Sequence, residues 1–175
     1  MIRKFTLLII ALLCIVISGC GTSDKKYLAI TPEEFMNTYN KKLDSFEQNY
    51  DKYKISIIQK PLEGDDIGNF VFNNNDMVGN YVTANDSQSV RQIGFLVLIN
   101  NDEMKLNIFK ALAEAATQNT KVSNADDIID DLIAKNETSN IISKGIQFDL
   151  TYNENGKPID LQICDDAYSK MSETK

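Results

Sequence analysis

The chain has 175 residues, with 18 basic side chains against 25 acidic ones, no histidine, and a net charge of −7. An acidic surface repels phosphate backbones, which argues against nucleic acid as a partner. The missing histidine removes the commonest general base and metal ligand, and with it any Ser-His-Asp or Cys-His arrangement.

Arg3 and Lys4 make a short cationic start, and Phe5 to Ile17 form an apolar run of thirteen residues. A helix across a hydrocarbon core needs about 20 apolar residues, so the run is short for a permanent span. It fits the charged region and apolar core of a secretory signal peptide. Ile17-Ser18-Gly19-Cys20 then places an aliphatic residue and two small ones before a cysteine. That quartet resembles the lipobox of bacterial lipoproteins. The resemblance implies cleavage between Gly19 and Cys20, a diacylglyceryl group in thioether linkage on Cys20, and a place on the extracytoplasmic face of the cell membrane. Two acyl chains are what stable anchoring requires. Residues 1–19 are thus expected to be a signal peptide and residues 20–29 the lipid anchor and tether. Losing Arg3 and Lys4 leaves 16 basic against 25 acidic residues, a net charge of −9. Such a protein does not dock on anionic lipid by charge, so attachment would rest on the acyl chains. Charged partners are expected to be cationic.

A single α+β domain is expected over residues 30–168. Thr31, Pro32 and Glu34 spell a capping box with proline at the first helical position. Phe35, Tyr39, Leu43, Phe46 and Tyr50 recur at helical spacing and predict one apolar face. Four strands follow, at Ile55 to Gln59, Asn69 to Phe72, Met77 to Ala84 and Val90 to Asn100, separated by turn-forming clusters. The run from Ile93 to Ile99 is apolar on both faces and belongs in the middle of a sheet. Asn101 or Asp102 caps a second helix bearing Met104, Ile108, Leu112 and Ala115 on one face, with Phe109 and Ala116 beside them. Asn124 opens a third helix with Ile128, Ile129, Leu132 and Ile133 inward. Gly145 to Tyr152 alternates, "NENGKP" turns the chain, and Ile159, Leu161 and Ile163 line a returning strand. The tail, residues 169–175, is polar. The order α-β-β-β-β-α-α-β-β with short turns predicts an antiparallel sheet with helices on one face.

Of the three cysteines, Cys14 leaves with the signal, Cys20 is the lipidation residue, and Cys164 stands alone in the folded part. Alternation around Cys164 favours a small buried hydrophobe over a reactive thiol. The densest carboxylate cluster is Asp126, Asp127, Asp130 and Asp131, which pair one helical turn apart. Calcium would suit such oxygens, but a solvated helix start with its favourable dipole explains them better. "TYNENG" resembles half of a calcium loop; with Thr151 and Gln162 in place of the acidic ends, a turn carried by Asn155-Gly156 is the better account. Tyr27, Tyr53, Tyr81 and Tyr168 close no helical stripe and could sit at sheet edges or on a binding surface. No catalytic residue, metal ligand or cofactor site is read from the chain.

"TPEEF" at the first helix, the strand run that follows, and "KGIQFDLTYNENGKPIDLQI" together resemble small single-domain lipoproteins of Gram-positive bacteria, over Thr31 to Cys164. The resemblance carries no catalytic signature. The expected function is a non-catalytic binding or interaction module of the cell envelope, anchored through Cys20 and meeting an envelope protein or peptide. The alternative is a small-molecule or ion-binding lipoprotein serving a transporter.

Overall fold

A computed structural model describes residues 28–83 and 89–165. The expected signal segment, the Gly19/Cys20 cleavage and lipidation position, Tyr27, Tyr168 and the polar tail lie outside the described residues. Leu28 and Ile30 are already core side chains. They bracket the start of a strand, with Leu28 N–H donating to Val90 O at 3.0 Å and Val90 N–H to Ile30 O at 2.8 Å.

Helix α1 runs Pro32–Asp44 and starts as its sequence dictates. The Glu34 N–H donates to Thr31 Oγ1 at 3.2 Å, while the Thr31 N–H donates back to Glu34 Oε2 at 2.9 Å. Such a box is worth about 1 kcal/mol. The helix ends earlier than the apolar spacing predicts. Ser45 takes over the Lys42 carbonyl with its hydroxyl at 2.6 Å and tightens the last turn. Phe46 and Tyr50 therefore pack from the connection beyond it, their rings 5.4 Å apart, not from the helix face.

Four strands follow: β1 Ile55–Gln59, β2 Ile67–Phe72, β3 Met77–Thr83 and β4 Val90–Val97. Helices α2 Asp102–Thr117 and α3 Ala125–Lys135 come next. The chain closes with β5 Ser139–Ser143, β6 Ile146–Tyr152 and β7 Pro158–Asp165. All pairings are antiparallel, in one sheet of order β1-β2-β3-β4-β7-β6-β5. The α+β class and the antiparallel sheet are as expected. The expected element order lacks β5, so the sheet has seven strands rather than six. β5 reads "SNIIS", too short and too polar to announce itself. It joins β6 through Lys144 and Gly145, both at positive φ, the geometry of a tight two-residue hairpin turn. β4 holds the centre of the sheet, as its doubly apolar run predicts.

Register sorts the side chains by face. Phe70, Tyr81, Ile93, Phe95, Leu161, Ile163, Phe148 and Leu150 share one face and are each at most 3% exposed. Phe35 of α1 lies on that face, with ring centroids 5.1 Å from Phe70 and 5.6 Å from Phe95. Gly79 makes room there, since a methyl group at that position would collide with the Phe95 ring. Tyr81 sits likewise over Gly68 and donates its hydroxyl to Gln59 O at 3.2 Å. Tyr53 and Tyr81 are both core residues, so neither belongs to an exposed surface.

The helices form one layer. Thr38 of α1 donates to Gln118 at the end of α2, Lys42 pairs with Glu114, and Lys110 of α2 pairs with Asp130 of α3 at 2.7 Å. α2 lies between its neighbours and buries nearly its whole circumference, from Ile108 and Phe109 to Ala115 and Ala116. Exposed ion pairs of this kind are each worth up to about 1 kcal/mol, so the apolar burial holds the layer. No described helix is long and apolar enough to cross a membrane.

Candidate functional site

The face turned away from the helices is built from the alternate residues of the same strands. Three rows cross it. A central row runs Gln59, Asn69, Asn80, Gly94, Gln162, Asp149 and Asn140, one residue from each strand in sheet order. On one side lies an aliphatic row of Ile57, Val71, Val78 and Leu96, which continues into Asp160 and Thr151 on β7 and β6. Ile57 is 57% exposed and Val78 37%. On the other side Val82, Gln92, Cys164 and Gln147 are buried, and Ile142 at the margin is half exposed.

Asp149 and Asp160 are diagonal neighbours on β6 and β7, because Asp149 stands opposite Gln162 and Asp160 opposite Thr151. Side chains so placed lie within reach of each other. Each carboxylate is held by an amide two residues along its own strand. Gln147 Nε2 donates to Asp149 Oδ1 and Oδ2 at 2.8 and 2.9 Å. Gln162 Nε2 donates to Asp160 Oδ2 at 3.0 Å, and accepts at its Oε1 from Gln92 Nε2 at 3.2 Å. Burial pushes the Asp160 carboxyl up to about 6; the Gln162 hydrogen bond opposes this and the charge of Asp149 adds to it. Burial also raises Asp149, against the pull of Gln147. Among the described residues neither carboxylate has a lysine or arginine partner, and the paired positions of this face carry no basic residue. The site is therefore an apolar track ending at two half-buried acids set among oriented amides, with no cation paired to them among the described residues. It offers hydrogen bonds and negative charge.

The cluster Asp126, Asp127, Asp130 and Asp131 is not drawn together. Asp130 pairs with Lys110, Asp126 Oδ2 lies 3.8 Å from Lys42 Nζ, and Asp127 and Asp131 are exposed. Among the described residues no group of three or more acidic or cysteine side chains is placed to hold a metal. In the "NENG" turn the Asn153 Oδ1 accepts from the Asn155 and Lys157 N–H groups, and Gly156 takes positive φ. Cys164 is buried, as alternation suggests, but on the helix-free face between Gln92 and Gln147.

The acid–amide group is not legible in the sequence of either strand, "IQFDLTY" or "PIDLQIC", taken alone. The alternation marks Gln147, Asp149, Asp160 and Gln162 as facing away from the core. Only the β6–β7 register puts the two acids side by side.

No protein-family model matches this chain, and no curated protein matches it. Among solved structures it is similar to a cysteine-rich secretory protein from Staphylococcus aureus, with a TM-score of 0.31 and 10% identity. The match covers 74% of this chain and 42% of that one, so the chain spans less than half its length. A likeness at that level carries no argument about fold or function.

Proposed function

We propose that the chain is a lipoprotein of the cell envelope, anchored through a diacylglyceryl group on Cys20 at the extracytoplasmic face of the membrane. Its domain serves as a non-catalytic binding module, and the helix-free sheet face meets an envelope protein or peptide. The observation that carries the binding reading is the row Ile57, Val71, Val78 and Leu96. Aliphatic side chains on four adjacent strands stay partly open to water beside a row of amides. Contiguous exposed apolar surface rimmed by polar groups is the usual mark of a protein contact. The anchoring reading rests on the cationic start, the short apolar run and the Ile17-Ser18-Gly19-Cys20 quartet.

The two halves of the proposal are tested separately. Cys20→Ala is expected to accumulate as an unlipidated precursor with an intact amino terminus by mass spectrometry. Normal lipid-bearing mature protein from that variant would refute the anchor. A photo-crosslinking residue at Val78 is expected to trap an envelope component on intact cells, and one at Asp127 on α3 is not. Equal yields at the two positions would refute the assignment of the sheet face.

A further inference from the structure

We infer that the helix-free face is a docking track for a protein segment that sets a lysine or arginine at the end of a run of aliphatic side chains. The inference rests on the binding reading above and names the chemistry of the partner. Leu96 on β4 stands opposite Asp160 on β7, so the aliphatic row runs straight into the acid pair. Strands lie about 4.8 Å apart, which makes the apolar part of the track about 14 Å long across four strands. Two to three turns of helix at about 5.4 Å per turn match that length, with a basic residue at the end reaching Asp160 and Asp149.

The charge is one-sided. The two acids are half-buried, and the groups that bond them are neutral amides, which fix the oxygens without neutralising them. Burial raises both carboxyls, so ionisation there is costly without a cation nearby. A guanidinium or ammonium arriving with the partner removes that cost. Among the described residues within the strands of this face the other titratable group is Cys164, which is buried away from the exposed track. A second copy of the chain is a poor occupant, because it would bring acid against acid on a chain of net charge −7.

One position on each edge strand of the sheet is taken by a helix side chain. On β1 the Asn40 side chain of α1 imitates a backbone amide, donating to Ile55 O and accepting from the Ile55 N–H, each at 2.9 Å. On β5 the Lys135 ammonium donates to Asn140 O at 3.2 Å.

The test uses the full chain in zwitterionic phosphatidylcholine nanodiscs and a fluorescent amphipathic peptide with leucines along one face and two lysines at one end. A matched peptide carries glutamates in place of the lysines. Binding of the lysine peptide by anisotropy is expected to weaken at least tenfold in the Asp149→Asn/Asp160→Asn variant and in Val78→Asp. It should change less than twofold in Asp127→Asn/Asp131→Asn, which removes the same charge from α3. Equal losses in the two double variants would mean attraction by net charge alone and would overturn the inference. Lysine and glutamate peptides bound alike on this face would overturn the choice of a cationic partner while leaving the face a binding surface. Binding of neither peptide would overturn the docking track, with the lipid anchor untouched. Concentration-dependent dimerisation that masks Val78 would overturn it in favour of self-association.

Discussion

Asp160→Asn isolates the cost of holding a charge on the sheet. The folded carboxyl titrates at about 6 against an ordinary value of 3.8. A shift of about two units corresponds to about 3 kcal/mol at about 1.4 kcal/mol per unit. The folded state binds the proton more tightly than the unfolded chain, so this contribution is fully present below pH about 4. It is lost as pH rises through about 6. Asp149, raised by burial, acts in the same direction. An asparagine keeps the size and still accepts from Gln162, but never ionises. The variant should match the parent near pH 4 and exceed it by about 2–3 kcal/mol at pH 7.5. Urea unfolding of the full chain in mild detergent at half-unit pH steps measures the difference directly. Self-repulsion of the other acids is nearly common to both chains and largely cancels. A variant whose stability falls between pH 4 and 7.5 as steeply as the parent's would refute the assignment of a buried, disfavoured charge to Asp160.

Asn40→Ala leaves the Ile55 N–H and C=O without their side-chain partner, which is expected to cost about 1–3 kcal/mol. It should also raise light scattering as the β1 edge opens; an unchanged urea midpoint would refute the role given to Asn40. Gly79→Ala drives a methyl group into the Phe95 ring and should destabilise by about 1–3 kcal/mol. Adding Phe95→Leu should give part of that back, and strict additivity of the two losses would show that the ring is not what the methyl meets. In pulse-labelled refolding, amides of the β1–β3 and β5–β6 hairpins should become protected before those joining β4 to β7. Simultaneous protection of both sets would contradict that order.

Much of the architecture is written locally. The Thr31–Glu34 box, the Asn101 cap of α2 and the Asn153–Gly156 turn form where the residue types call for them, because each is closed by hydrogen bonds within a few residues. The end of α1 was harder. Phe46 and Tyr50 keep helical spacing yet pack from a loop, since a buried ring stabilises the core whether or not the backbone beneath it is helical. β5 escaped because an edge strand half in water needs little apolar content, and its turn uses Lys144 and Gly145 in place of the usual Asn-Gly. The candidate site lay beyond local reach. Alternation says that Asp149 and Asp160 face outward, but their proximity depends on the β6–β7 register. Their burial depends on neighbours such as Gln162, and neither quantity exists within one strand's sequence.

The sheet order has one further result. Strands β1 to β4 are neighbours in the chain as they are in space, and so are β5 to β7; among the described strand pairs of the sheet, β4–β7 is the one that joins distant stretches. Closing that junction must overcome the entropy of the long intervening connection. The Gln92–Gln162–Asp160 hydrogen bonds straddle it. The amide that holds Asp160 is thus anchored from β4 only once the two halves of the sheet have met, so a partner that reads Asp160 meets its fully anchored form only in the finished molecule.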